Sequence, residues 1–526
     1  MKATLWGGLL AGGFIGVAAL GLAASSRAGS AGLSPAGAAT AAPSPGACAQ
    51  LASLNLKDVR ITAAEPIASD AAFAYPPSVF NAMAGPHPGV ANTAFCRVAG
   101  VIETEINFEL WLPQDWNGRF LGVGNGGLTG AINYPAMGDG LARGFAVAST
   151  DTGHKTAQGF FDAAWIAGHW QRVVDFGHRA HHLMPVVSKQ IVAAYYGQPA
   201  RRAYYSGCSS GGWQGFTEAQ KYPGDYDGIV AGAPAFNFVK LQTRGFWLSQ
   251  LEAKDPWGAL TPAKAKLLVN AALARCDAQD GVKDGVMDPS QCDFDPAQLQ
   301  CRGSDRDDCL TSAQIARARL IYGPIKSPKG MSLYPGNAYG APSSITLPGP
   351  DGAALAKPMI VQVAHDPKWT PETFDADRDT PTLEEDVGPI LSSYDPNLAA
   401  FKARGGKIIM YHGWADPLLS PYNSVAYYRA VQGALGAGAT DHFLRLFMVP
   451  GMGHCLGGPG TDTFDGLSAI QAWVEQGHAP SLLLASHMTK GVADRTRPLC
   501  PYPQVAEWTG IGNTNDAANF VCRVPK

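Results

Sequence analysis

Apolar residues recur along the chain at two different spacings. Ile106 to Pro113 (INFELWLP) alternates as a half-buried strand does and ends in the turn Pro113-Gln114-Asp115-Trp116-Asn117-Gly118. Arg119 to Val123 reads as a second strand, followed by the glycine-rich Gly124-Asn125-Gly126-Gly127. Phe145 to Ser149 reads as a third, ending at Thr150-Asp151-Thr152-Gly153. Between residues 175 and 196 the period changes: Leu183, Val186, Val187, Ile191 and Ala194 fall at helical spacing. Ala203 to Ser206 is strand again, and Gly212 to Gln220 is helix after a turn. Strand alternating with helix predicts an α/β protein whose mostly parallel sheet is covered on both faces.

The rhythm stops after Ala233-Pro234. From Phe236 to Pro396 the chain is rich in loops, holds four cysteines and has no βα repeat. Strands resume at Lys407 to Tyr411 and at Phe443 to Val449. We read residues 48–235 and 397–526 as one α/β core and 236–396 as a lid domain inserted into it. Upstream, Lys2, the apolar run Leu5 to Leu22 and the small residues Ala23, Ala24 and Ser25 have the order of a secretory signal peptide over residues 1–24. A retained membrane anchor is the competing reading, against which the run's many Gly and Ala residues count. Residues 25–47, rich in Ala, Pro, Ser and Gly, form an expected disordered spacer. An exported protein, periplasmic or secreted, follows, free of the membrane once cleaved and with no oligomeric state specified.

Composition narrows the function. The 526 residues are 46% hydrophobic and 16% charged, with 40 Lys+Arg against 43 Asp+Glu and a formal charge of -3. That balance gives a phosphate backbone no excess of cations, so a nucleic-acid partner is not expected. Ten cysteines (48, 96, 208, 276, 292, 301, 309, 455, 500 and 522) behind an export signal read as five disulfides. Buried free thiols or a metal site are the alternatives, and the lack of any C-x-x-C pair weakens the metal. Local spacing alone suggests Cys276–Cys292, Cys301–Cys309 and Cys500–Cys522.

Gly207-Cys208-Ser209-Ser210-Gly211 fits G-x-S-x-G between a strand and a helix. A nucleophile elbow needs that context and those small residues, because the turn is strained and the chains pass closely. A chance Gly/Ser turn competes with this reading. Serine also needs a base, and His454 follows an apolar strand in Pro450-Gly451-Met452-Gly453-His454-Cys455. An acid should lie between them in chain order, and Asp416 in His412-Gly413-Trp414-Ala415-Asp416-Pro417 follows a strand in the same way. Ordinarily an aspartate there is a turn residue; three matching strand ends in the right order favour a triad. Cys208 precedes the serine and Cys455 follows the histidine, so a Ser209–His454 contact would bring both within disulfide reach.

These residues resemble the tannase and feruloyl esterase family, which also includes enzymes hydrolysing terephthalate monoesters. Its pattern is Cys-Ser, Asp, then His-Cys with the two cysteines bridged. Cys208-Ser209, Asp416 and His454-Cys455 match it, and similarity extends from about Cys48 to the C-terminus, through Gly457-Gly458-Pro459-Gly460-Thr461-Asp462 and Arg497-Pro498-Leu499-Cys500-Pro501-Tyr502-Pro503. The resemblance implies an α/β-hydrolase core with a large inserted lid, and the disulfides Cys48–Cys96, Cys208–Cys455, Cys276–Cys292, Cys301–Cys309 and Cys500–Cys522. It also implies a lid calcium site at the acidic stretch Asp277, Asp280, Asp284 and Asp288, which by itself reads equally as a solvated turn. Carried over, Asp277, Asp280 and Asp284 offer carboxylates, and Val282 and Val286 backbone carbonyls, to a structural Ca2+. The glycine stretch does not match G-x-G-x-x-G; the family instead implies an oxyanion hole from the N–H groups of Gly127 and Ser210.

The implied activity is that of a serine esterase on esters of aromatic acids, with a small aromatic substrate and no organic cofactor. Phe374-Asp375-Ala376-Asp377-Arg378-Asp379 resembles the feruloyl and tannase side of the family. Ser210 and Leu419 stand where the terephthalate-monoester hydrolases carry an acidic and an aromatic residue, and no counterpart of their lid arginine is evident. A feruloyl esterase is therefore expected first, with a tannase or a mono(2-hydroxyethyl) terephthalate hydrolase as alternatives. Trp247, Trp257, Trp369 and Phe374 are candidates to stack on the acid's ring, although such aromatics commonly serve as core. Two other classes are weighed: a secreted serine peptidase using the same triad, and a non-catalytic carbohydrate-binding protein on the same fold.

Overall fold

A nine-stranded sheet runs through the molecule, which a computed structural model describes at residues 44, 46–83, 89–90, 92–156, 159–341 and 368–525. Its strands are β1 (Val59–Ile67), β2 (Phe95–Ile102), β3 (Ile106–Pro113), β4 (Arg119–Val123), β5 (Ala146–Thr150), β6 (Arg202–Cys208), β7 (Gly228–Gly232), β8 (Lys407–Gly413) and β9 (Leu444–Val449). In space they run β1-β2-β3-β5-β4-β6-β7-β8-β9. The first four are antiparallel neighbours, and every pairing from β5 onward is parallel.

Alternation within the strands feeds two cores. Ile408, Met410, Leu444 and Leu446 enter one apolar cluster, while Ile409, Phe447 and Val449 enter the other. With both faces covered, β5 and β7 are buried at every position, so neither shows the polar–apolar alternation of a half-buried strand. Helices α1 (Tyr134–Ala142), α2 (Ala180–Tyr196) and α3 (Ser210–Lys221) supply part of that cover. The expected helix at 175–196 is longer: a short helix, Trp170–Val174, and a π turn, Asp175–Arg179, lead into α2. Three sheet strands escaped the sequence reading: β1, β2 and the five-residue β7.

The middle segment is more helical than its loop-rich sequence suggests. It contains α4 (Phe238–Lys254), α5 (Pro262–Cys276), α6 (Ser312–Tyr322) and α7 (Ala376–Asp386). Side-chain caps mark the starts of the last three. Thr261 accepts from the N–H of Lys264 ahead of α5, Thr311 and Gln314 form a reciprocal capping box at α6, and Asp375 caps α7. This segment has an apolar cluster of its own, built on Leu268, Phe294, Leu310 and Ile315. A second cluster joins its Phe238, Phe246 and Leu383 to Leu128, Trp165, Trp213 and Leu419 outside it. Downstream lie α8 (Pro421–Leu435), α9 (Gly466–Gln476) and the hairpin of β10 (Leu483–Thr489) and β11 (Val492–Leu499).

The expected signal peptide lies outside the described residues, as does nearly all of the spacer; Ala47 already opens a short helix, Ala47–Gln50. Among the described residues no helix is long and apolar enough to cross a membrane.

Candidate active site

Ser209, Asp416 and His454 all follow the carboxyl ends of parallel strands, β6, β8 and β9, the edge of an open α/β sheet where ligands bind. Ser209 lies between β6 and α3 with φ 64° and ψ −122°, a backbone conformation that costs a non-glycine residue energy. Its N–H donates to the Gly232 carbonyl at 2.9 Å, and its carbonyl accepts the Trp213 N–H at 3.0 Å, fixing the turn between β7 and α3. The close approach demands small neighbours: a Cβ on Gly211 would lie 2.7 Å from the Asn125 carbonyl oxygen.

Asp416 follows β8 and His454 follows β9. His454 Nδ1 donates to Asp416 Oδ2 at 2.7 Å. The other oxygen, Oδ1, accepts from the backbone N–H groups of Leu418 at 2.7 Å and Leu419 at 3.0 Å. Burial alone would raise the pKa of this fully enclosed carboxyl; His454 and His412 outweigh it and hold the group well below the usual carboxylate range. Asp416 is thus kept as an anion beside an imidazole.

The sequence reading missed His412. It is completely buried at the end of β8, and its Nε2 donates to Asp416 Oδ2 at 3.0 Å, sharing that oxygen with His454. With Nε2 protonated, Nδ1 accepts from the Ser424 hydroxyl at 2.7 Å. The signal was present, a histidine four residues before the aspartate, but spacing along a strand and turn gives no rule for contact.

Five disulfides form: Cys48–Cys96, Cys208–Cys455, Cys276–Cys292, Cys301–Cys309 and Cys500–Cys522. The second joins the neighbours of Ser209 and His454, with Cα atoms 5.9 Å apart and 247 positions between them in sequence. Closing so long a loop removes much freedom from the unfolded chain, worth on the order of 5 kcal/mol in the chain-entropy account. Replacing both cysteines by serine is expected to lower Tm by several degrees and kcat at least tenfold. Melting curves and initial rates on one ester would check both; unchanged values would mean the bridge fixes nothing.

Beside the serine, Gly127 has φ +58°, and a Cβ there would lie 2.2 Å from the Phe160 carbonyl oxygen. Ser210 Oγ donates to the Gly127 carbonyl at 2.7 Å, tying the first residue of α3 to the glycine loop. The loop is also held by Asn125, whose N–H donates to Gln214 Oε1 at 3.0 Å and whose Nδ2 donates to the carbonyls of Ala131 and Thr150. Asn125 and Gln214 escaped the sequence reading, since each is chemically unremarked until the fold brings them together. A serine, a histidine–aspartate pair, one backbone amide at a helix start and one in the glycine loop are the parts that acyl transfer uses.

The candidate stacking residues separate. Trp369 and Phe374 are buried against Phe246 as core. Trp247 donates its indole N–H to the Lys326 carbonyl, and Trp257 is 83% exposed.

The acidic loop directly follows α5 and is closed by Cys276–Cys292. Asp277 accepts from the N–H groups of Asp284 and Gly285, and Asp280 from that of Val282. Asp284 Oδ2 accepts from Arg497 on β11 at 2.6 Å. Burial, and then the neighbouring Asp284 and Asp277, push the Asp280 carboxyl up to about 6 despite the Val282 amide. Three carboxylates and two carbonyls in one tight loop are all-oxygen donors of the kind calcium takes, and a cation would offset the burial and repulsion that raise Asp280. Arg497 now answers part of that charge. The carboxylate and histidine atoms that do converge among the described residues lie elsewhere: His182, Glu218 and Asp225, within 4.8 Å of one another, a group able to hold a metal.

Comparison with known proteins gives three findings. The family model described as tannase and feruloyl esterase matches residues 90–523. Curated relatives include an uncharacterised esterase of Xanthomonas campestris pv. campestris, 35% identical over 91% of this chain and 92% of that one. They also include the mono(2-hydroxyethyl) terephthalate hydrolase of Piscinibacter sakaiensis, 36% identical over 82% and 85%. Among solved structures, feruloyl esterase B of Aspergillus oryzae superposes with a TM-score of 0.82 at 28% identity, covering 91% of this chain and 99% of that one.

Proposed function

Because the chain belongs to the tannase and feruloyl esterase family and is a carboxylic-ester hydrolase, we propose that it cleaves esters of aromatic acids, hydroxycinnamoyl esters first, through an acyl-enzyme on Ser209. The observation that carries this reading is the 2.7 Å bond from His454 to a buried, ionised Asp416, with Cys208–Cys455 holding that pair beside the strained serine.

Ser209 Oγ attacks the ester carbonyl while His454 Nε2 takes its proton. Asp416 fixes the tautomer through Nδ1 and stabilises the imidazolium. The N–H groups of Gly127 and Ser210 hold the oxyanion. His454 returns the proton to the leaving alcohol, and water then repeats the sequence on the acyl-enzyme. His412 is a positioning residue here: held by Ser424, it binds the same Asp416 oxygen as the base and so fixes its direction.

Residues 236–396 act as the lid, a reading supported by their separate core and by the cluster that packs them over Leu128 and Leu419. Asp277, Asp280 and Asp284 with the carbonyls of Val282 and Val286 would hold Ca2+, which supplies charge compensation to the loop and takes no part in the chemistry. Chelation with EGTA is expected to lower Tm by several degrees, reversibly on adding Ca2+, and to leave kcat at 25 °C within twofold. A large loss of kcat without a Tm change would contradict a structural role. Five disulfides also support an oxidising, exported setting, periplasmic or secreted.

The substrate is tested by hydrolysis of methyl ferulate, methyl gallate and mono(2-hydroxyethyl) terephthalate, with Ser209→Ala as control. A preference for the ferulate ester supports the feruloyl reading; a preference for either other ester reassigns the substrate within the family. Silence on all three sinks the aromatic-ester proposal.

A further inference from the structure

The group His182, Glu218 and Asp225 is built from three separate elements on the buried side of α2 and α3. His182 comes from α2, Glu218 from the last turns of α3, and Asp225 from the turn that leads into β7. Their nearest ligand atoms all lie within 4.8 Å of one another. His182 Nδ1 sits 2.6 Å from Asp225 Oδ2, and its ring is stacked on Tyr222 at 3.8 Å, so the imidazole is held in orientation. Asp225 is also fixed, its N–H donating to the Tyr222 carbonyl.

Glu218 is the anomaly. It is 1% exposed, and neither carboxylate oxygen has a hydrogen-bond partner. Buried polar groups are almost always satisfied, and leaving an acceptor bare costs about 1–3 kcal/mol. Something positive belongs between Glu218 and Asp225. Lys189, also on α2, offsets part of the charge of Asp225 and Glu218, but its ammonium donates to the main-chain carbonyl of Asp225 and leaves the Glu218 oxygens without a donor. His178 is occupied with the Tyr222 hydroxyl at 2.7 Å. A proton or a metal ion remains. One imidazole nitrogen and two carboxylates form a mixed set that zinc and its neighbours accept at about 2.0–2.2 Å, whereas calcium prefers oxygen alone. His182 and Asp225 are partly exposed, which leaves an entry path and room for water as a further ligand.

We propose that His182 Nδ1, Glu218 and Asp225 bind a divalent transition-metal ion of the zinc type, at a structural site separate from the triad and from the acidic loop. Glu218 lies nine positions along from Ser209, roughly 13 Å at the rise of a helix, so the ion clamps the far end of the helix whose first residue is Ser210. It joins α2, α3 and the β7 turn, and therefore stiffens the support of the elbow without touching substrate.

The test uses the full chain, stripped of transition metals and kept saturated with Ca2+. Zn2+ at 100 µM is expected to raise Tm by at least about 2 °C, and Co2+ to give a visible d–d absorption at one ion per chain. Glu218→Gln and His182→Ala should each lose both responses while retaining ester hydrolysis. If Glu218→Gln does not fold, the partly exposed His182→Ala decides alone. No Zn2+ shift and no cobalt band in wild type would overturn the proposal, as would responses that persist in the variants. A wild type that ignores both metals, with Glu218→Gln more stable than it, would mean that the pair shares a proton instead.

Discussion

Ser209→Ala is expected to lower kcat by on the order of 10^4 to 10^6, with KM nearly unchanged. The side chain removed is the nucleophile, and no other hydroxyl at the elbow replaces it: Ser210 Oγ is spent on the Gly127 carbonyl. What survives should be the contribution of the oxyanion amides and of binding. Because serine and histidine act as one unit, His454→Ala in the Ser209→Ala background should cost at most about tenfold more. Single-turnover assays with a chromogenic ester would measure both variants. If Ser209→Ala kept more than 1% of wild-type kcat, the nucleophile would have to be sought elsewhere.

Gly127→Ala should reduce kcat by about 10^2 to 10^3, the scale of losing one oxyanion donor. Two physical effects act together. A left-handed φ of +58° is strained for alanine, and the new methyl would lie 2.2 Å from the backbone oxygen of Phe160, which has no flexible end to swing away. The loop must move, and the Gly127 N–H turns away from the point where the oxyanion forms. The Ser210–Gly127 hydrogen bond would register the same shift. Parallel measurement of kcat and Tm separates aim from stability: a large kcat loss with a small Tm change is expected. A kcat within tenfold of wild type would remove Gly127 from the hole.

Much of this site was legible before any coordinates because strained turns leave tight signatures. Gly207-Cys208-Ser209-Ser210-Gly211 needs small residues for reasons of backbone approach, and the strands ahead of Asp416 and His454 are apolar and continuous. The boundaries of β3 and β4 were read to the residue, since INFELWLP alternates and RFLGV is bounded by turns. β7 is not legible, because its short run Gly228-Ile229-Val230-Ala231-Gly232 is bounded by glycines and buried on both faces, and so reads as a turn as readily as a strand. The helices α4 to α7 are not legible for another reason: they sit among long loops, and the local caps of α5, α6 and α7 rather than a sustained apolar stripe mark their starts. His412, Asn125 and Gln214 were invisible for a different reason. Their partners lie across strands and loops, and a polar residue's role is set by what the fold places opposite it. The pairing Cys208–Cys455 stands between these cases, suggested by adjacency to Ser209 and His454, named by the family, and formed here with Cα atoms 5.9 Å apart.

The pairing of β7 with β8 has a consequence for how the chain reaches its native state. Gly228 lies opposite Lys407, and Gly232 opposite Tyr411, so two central neighbours are separated by about 175 residues of sequence. A chain emerging N-terminus first can assemble β1 through β7 and then presents the open edge of β7, an unpaired ladder of the kind that recruits other chains. Closure waits until the whole insertion has appeared. The separate core around Leu268 and Leu310 lets that insertion collapse on itself meanwhile, which draws its ends together and reduces the loop that β8 must close. Folding yield should thus respond to mutations in the insertion's own core, far from the sheet whose completion they delay.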